Sequence, residues 1–397
     1  HVGTHNDNDG GQVWKSLDGR TWTQVGLDGL VGDADNVGMR ALAVHEGALY
    51  ASVENSVDAG RVYRWSATGA AWEQVSLDGF GSPNNEMVLT LASFDGSLYA
   101  GTYNGIERPK VFCYTGVGTN WDNVSPPDAD FEIANIAIDA MTVYSDHLYI
   151  GTQNESGGEI WRYDGATWEP VTTDGFGSPN NDSVWSLQAF DGYLYAGLQN
   201  PAEGSEVWRS QSGASGDWTQ VNQNGFGRNM VNDATNAGVR ALTVWNGRLY
   251  AGTYNWASGG EVWRTANGAA QEDWEQVNTD GFGQGQNRIA SALWSFGDHL
   301  YAGTFNDTFG TEIWRTGLPG LSRGRFAQVV NASLRTGEAT TITMSGALDW
   351  SHQAPTRGLY ALPLPVSGVY DVSCSCGQDL SIHLDTQHLL YLPLAIR

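Results

Sequence analysis

Leu249-Tyr250-Ala251-Gly252-Thr253-Tyr254-Asn255, then Gly259-Gly260-Glu261-Val262-Trp263-Arg264, then Trp274-Glu275-Gln276-Val277, is the clearest copy of a phrase that recurs through this 397-residue chain. It returns as Leu98-Tyr99-Ala100-Gly101-Thr102-Tyr103-Asn104 and as Leu300-Tyr301-Ala302-Gly303-Thr304-Phe305-Asn306. The step is about fifty residues, a period that marks one supersecondary unit copied many times. Around residue 240 the unit offers four β-like runs: Ala241 to Trp245, Arg248 to Thr253, Glu261 to Thr265 and Trp274 to Val277. Asn246-Gly247 joins the first two as a tight hairpin. Four antiparallel strands per unit, with no helical periodicity, predict an all-β chain, a seven-bladed β-propeller.

Third-strand copies run Val13-Trp14, Val62-Tyr63, Val111-Phe112, Ile160-Trp161, Val207-Trp208, Val262-Trp263 and Ile313-Trp314. Fourth-strand anchors run Trp22, Trp72, Trp121, Trp168, Trp218, Trp274 and Phe326, and these rings are expected to pack between blades. Inner strands number six, centred on Leu42, Leu91, Met141, Leu187, Leu242 and Leu293. The expectation is therefore a propeller over residues 1–335 and a β-rich tail over 336–397 that supplies a closing or donated strand and a small β module. Thr340 to Leu348 and Leu389 to Ile396 are the candidate strands; an unpaired inner edge invites strand pairing. Opening in mid-unit at His1, with neither an initiator Met nor a signal peptide, the chain reads as a processed product.

Composition narrows the partners. Acidic residues number 44 against 20 basic, a formal charge of −24, which argues against nucleic acid and anionic membranes. No apolar run is long enough for a spanning helix. The Gly-, Asn- and Trp-rich all-β character points to an extracellular or cell-surface setting, and a glycan, a protein or further copies of the chain are the expected partners.

Ser16-Leu17-Asp18-Gly19-Arg20-Thr21-Trp22 is similar to an Asp-box with one residue missing, and Asp164-Gly165-Ala166-Thr167-Trp168 is a shorter remnant. On these residues the chain resembles seven-bladed propellers of the kelch and Asp-box type over residues 1 to about 330. In such families the motif stabilises the turn between the third and fourth strands and carries no chemistry. The ending Tyr391-Leu392-Pro393-Leu394 resembles tails of secreted bacterial repeat proteins.

Positions shared by all copies serve the fold; positions that differ are free for function. Asn closes every second strand (Asn6, Asn55, Asn104, Asn154, Asn200, Asn255, Asn306), and a second Asn stands six residues before each inner-strand Leu or Met. Both sets are expected to hold loops. Two residues before that Leu or Met the copies read Arg40, Leu89, Asp139, Trp185, Arg240 and Ser291. Period-two alternation places them on the face of the Leu, nearer the channel mouth. Arg40, Asp139, Trp185 and Arg240 form either a ligand pocket or an Arg–Asp plug. In Asn6-Asp7-Asn8-Asp9-Gly10-Gly11, alternate oxygen ligands suggest a Ca2+ loop, with Asp33 and Asp35 in the next loop; a solvated turn is the competing reading.

Three functions remain open: a non-enzymatic binding or structural scaffold acting through its polar loop face, a self-assembling filament or surface-layer subunit, and a glycan-active enzyme of sialidase or lyase type. The last needs three clustered arginines, and the equivalent positions supply two. The expected class is therefore non-enzymatic.

Overall fold

The computed structural model describes residues 1–66, 68–127, 131, 133–227 and 236–316 in full, and beyond them the backbone of strands at 326–328, 340–346, 350–354, 359–360, 368–374 and 379–384. The fold is an all-β propeller. Six units have four antiparallel strands each, and three strands at the amino end, Val2–Gly3, Val13–Lys15 and Thr21–Gln24, form a further unit. In the sixth unit the strands are Gly238–Trp245, Arg248–Tyr254, Val262–Thr265 and Glu275–Gln276. No helix among the described residues is long and apolar enough to cross a membrane, which says nothing of strands.

The hydrophobic core is divided among the seams. Each cluster takes inner and second strands from one unit and rings from its neighbours, as where Val207, Phe226, Val239, Leu242, Leu249 and Trp274 pack together. The fourth-strand indoles tie one unit to the one before. Trp72 Nε1 donates to Val25 O at 2.9 Å, Trp121 to Val75 O at 2.7 Å, Trp168 to Val124 O at 2.5 Å and Trp274 to Val221 O at 2.8 Å.

Beside each of several indoles lies a Phe from a Gly-Phe-Gly turn. Phe226 stacks on Trp263 with ring centres 5.0 Å apart and meets Trp274 edge-on at 5.3 Å. Phe80, Phe176, Phe226 and Phe282 hold φ between 54° and 61°, a left-handed conformation that side chains avoid. Aromatic packing, worth about 0.5–1.5 kcal/mol beyond the buried area, offsets that strain.

The two Asn sets form one repeated latch. Asn200 Oδ1 accepts the loop N–H of Glu203, while its Nδ2 donates to Asn181 Oδ1 at 2.8 Å. Asn181 in turn donates to Gly175 O at 2.8 Å and to Glu206 of the next unit at 2.9 Å, and Trp208 Nε1 donates to the same carboxylate at 2.7 Å. Asn236 with Glu261 and Asn287 with Glu312 repeat the arrangement, both at 2.7 Å. Three units depart from it, with Gln12, Arg61 and Lys110 at the position of the Glu. Arg61 is held by Asp33 at 2.7 Å, Asp78 at 2.6 Å and Asp58 at 3.3 Å.

Asp18 accepts the N–H groups of Arg20 and Thr21, both at 2.8 Å, and Asp164 those of Ala166 at 2.8 Å and Thr167 at 2.6 Å, so both acids brace the turn between third and fourth strands.

The tail strands pair differently from expectation. Thr340–Gly346 lies between Trp350–Ala354 and Gly368–Cys374, with Asp379–Leu384 beyond, in a separate four-stranded sheet. Both its edges are occupied there, so this run is not the missing inner strand. Leu359–Tyr360 instead pairs with Thr21 and Trp22, on the outer edge of the amino-terminal unit. Leu389 to Ile396 lies outside the described residues.

Candidate binding face at the channel mouth

Each inner strand carries a β-bulge at one place. In the sixth unit Val239 pairs with Thr253 and Ala241 with Gly252, which leaves Arg240 as the extra residue. The same skip falls at Arg40, Leu89, Asp139, Trp185 and Ser291. Simple alternation therefore does not place these side chains. The extra residue breaks the period, and a bulge re-aims a side chain.

The re-aimed charges share one space. Asp139, Arg240 and Arg40 come from three non-adjacent units, yet each arginine acts on Asp139 electrostatically. Burial pushes the Asp139 carboxyl up, against the pull of Arg240, of a 2.7 Å bond from Ser183 and of Arg40. Burial likewise lowers Arg240, while Asp139 opposes that shift.

The two arginines have different surroundings. Arg40 is paired with Glu54, whose carboxylate also faces His5 Nδ1 at 3.5 Å. Burial would raise Glu54, but the bonds from His5 and Arg40 hold it below the usual range. His5 is raised by the bond to Glu54, against its own burial. This side is a plug. Arg240 makes no hydrogen bond or ion pair among the described residues, and its guanidinium lies 5.3 Å over the Trp185 ring. Trp185 lies over Gly238, where an added Cβ would stand 2.2 Å from the indole.

From Trp185 an aromatic path leads outward. Its ring centre is 6.0 Å from that of Tyr254, which is 6.2 Å from that of Trp256. Trp256 is 54% exposed. Arg288 stacks on it at 3.6 Å and is fixed by Asp307 at 2.6 Å. Tyr254, Trp256 and Arg288 escaped the sequence reading because it compared only one strand position between copies. Trp256 follows a conserved Asn in a loop where the other copies hold small, polar or acidic residues, and that difference was the available signal.

The four acidic residues proposed for Ca2+ do not gather. Asp7 bonds His5 at 2.8 Å and Asp33 is neutralised by Arg61. Asp9 and Asp35 use their backbone N–H groups, toward Asn6 Oδ1 and Asp33 Oδ1. Among the described residues no group of three or more His, Cys, Asp or Glu is placed to hold a metal. The loop after Asn6 has the shape of the loops after Asn55, Asn104 and Asn255, each closed by the Asn carbonyl. The residues do not fit the ion.

No protein-family model matches the chain, and no curated protein sequence matches it. Solved structures do. The Saccharomyces cerevisiae protein Sqt1 superposes with a TM-score of 0.55 at 11% identity, covering 97% of this chain and 93% of that one. The WD40 repeats of RRP9 give 0.46 at 11% identity, over 73% and 80% of the two chains. A chain of a nidogen/laminin complex gives 0.41 at 14% identity, over 68% and 90% of the two chains. At these identities the likeness establishes the β-propeller fold and nothing finer.

Proposed function

We propose that this propeller is a non-enzymatic binding scaffold whose loop face takes an anionic ligand at the channel mouth. The observation that carries the reading is Arg240. A guanidinium has five N–H donors, and here they sit on a half-buried side chain, stacked on Trp185 and bonded to nothing in the described structure. A carboxylate or sulfate entering the mouth would receive a bidentate pair. The path Trp185–Tyr254–Trp256 offers ring faces to an extended partner, and an acidic glycan combines C–H faces with the required charge. The Gly-, Asn- and Trp-rich all-β character fits an extracellular or surface setting in which such glycans occur, and the acidic balance opposes nucleic acid. A glycan array of sulfated, uronic-acid and neutral chains tests this. Binding confined to acidic chains and lost in Arg240→Ala supports the reading; binding indifferent to ligand charge overturns it.

Self-assembly is a second reading. Val2–Gly3 pairs with Val13–Lys15, and among the described residues no strand occupies its inner edge. A strand from another copy would fit there. Size-exclusion chromatography of the full chain and of residues 1–335 separates the possibilities: polymers lost on truncation support donation, and a monomer at every concentration rejects it.

A further inference from the structure

The seam between the fourth and fifth units lacks two side-chain ties that most of its sisters make; the third unit has Asn123 in place of Gln, and its Oδ1 accepts from Ser125. Gln24, Gln74, Gln220 and Gln276 each donate from the fourth strand to the loop beyond it, to Asp28 at 2.8 Å, Asp78 at 2.9 Å, Asn224 at 2.7 Å and Asp280 at 2.7 Å. In the fourth unit this position is Pro170, and the corresponding Asp174 receives only the hydroxyl of Thr172 at 3.2 Å. A second tie is missing at the same seam. The Trp218 indole N–H, unlike those of Trp72, Trp121, Trp168 and Trp274, is buried without an acceptor.

Where those ties are lost, a recess of about 380 Å³ opens between the fourth and fifth units. Pro170, Thr172, Asp174, Phe176, Trp208 and Trp218 line it. Phe176 stacks on Trp208 at 4.9 Å and meets Trp218 edge-on at 5.4 Å. The same trio at the next seam has its Phe226 and Trp274 buried, each 8% exposed, whereas Phe176 and Trp218 are half-buried.

We propose that this recess is a saccharide subsite, distinct from the channel mouth, that takes one neutral pyranose unit. Its size lies in the range of small-ligand pockets, and its lining combines aromatic walls with polar side chains at the rim. The C–H face of the sugar packs on the exposed rings. The Asp174 carboxylate accepts from hydroxyls, and the side chains of Thr172, Thr173 and Ser215 supply further partners at the rim. Asp174 disfavours an anionic sugar here, so the two sites select opposite ligands. Pro170 lines the recess where four sister units place a Gln side chain, and Pro170→Gln should fill it with the contact those units use.

The test titrates the full chain with methyl glycosides of glucose, galactose, mannose and N-acetylglucosamine, read by saturation-transfer NMR and tryptophan fluorescence. Wild type should bind at least one with Kd on the order of millimolar, as befits a ligand of about a dozen heavy atoms. Pro170→Gln should lose the response at least tenfold with Tm unchanged or raised. Since Gln is the residue of four sister units, this variant is expected to fold. No response from wild type to any glycoside, or an equal response from Pro170→Gln, overturns the proposal. A response to choline in place of sugars also overturns it, by reassigning the rings to a cation.

Discussion

The hydroxyl of Tyr301 donates to Gly19 O at 3.3 Å, across 282 residues of sequence. Tyr195 makes the equivalent contact one unit onward, to Asn267 O at 3.2 Å. The bond of Tyr301 is thus the ordinary seam contact, and it ties the last unit to the first.

Gly19 is at φ 65°, and a Cβ there would stand 1.7 Å from the Tyr301 oxygen. Gly19→Ala should therefore cost about 1–3 kcal/mol, from the left-handed backbone and the clash together. Tyr301→Phe removes the oxygen, so the double variant should recover part of the loss. Denaturant unfolding of all four proteins gives the coupling, and strict additivity would reject this picture of closure.

Asn181→Ala would remove the bonds to Gly175 O and Glu206 and orphan the Asn200 amide. The expected loss is about 2–4 kcal/mol, since a buried carboxylate is left short of a donor. Asn8→Ala, in an exposed loop, should stay within about 0.5 kcal/mol. Equal effects would mean that the latch is not structural.

Asp182 is pushed up to about 6, by burial first and then by Glu155 and Asp139, against its own backbone bond. Its folded value exceeds the unfolded one, so the protonated form stabilises the fold, and stability declines as pH rises from about 4 to about 6. Asp182→Asn should raise Tm at pH 8 and leave it nearly unchanged at pH 4. A gain of the same size at both pH values would show that the carboxyl does not titrate near 6.

Asp164 behaves oppositely. Bonds from the backbone of Thr167 and Ala166 hold it down to about 2. Its contribution is present above the ordinary carboxyl range and is lost as pH falls toward 2. Asp164→Asn should lower Tm at pH 7, and the gap to wild type should close by about pH 2. A gap that persists in acid would assign the effect to packing.

Arg240→Ala should weaken an acidic glycan at least tenfold while leaving Tm within a few degrees, because no described side chain loses a hydrogen-bond partner. Arg40→Ala removes a donor from Glu54 and should cost stability. Fluorescence titration with thermal unfolding of both variants checks this contrast; interchange of the two phenotypes would place the site on the other side of the channel.

Much of this fold was legible because the chain repeats itself. The second-strand Tyr-Ala-Gly-Thr run, the indole anchors and the paired asparagines recur, and recurrence separates architecture from accident. The bulge at Arg240 was not legible. Alternation assumes one residue per partner, and an inserted residue shows only when both strands are paired in space. Acids at alternate positions in residues 6–11 suggested Ca2+, but they do not reveal that His5 takes Asp7 and that Arg61 reaches Asp33 from the neighbouring unit. The inner-strand role given to Thr340 to Leu348 failed for a related reason, since alternation marks a strand without naming its partner. Pro170 was visible all along, as a proline in a column otherwise made of glutamine and one asparagine.

Arg61 makes the order of the modules matter. A segment excised from the second position and grafted elsewhere would carry a buried cation away from the Asp33 that belongs to its predecessor. A segment moved there from any of the last four positions would bring a carboxylate to face Asp33. Duplication or shuffling of these segments is tolerated only where the seam chemistry matches, so the repeat has ceased to be interchangeable with itself.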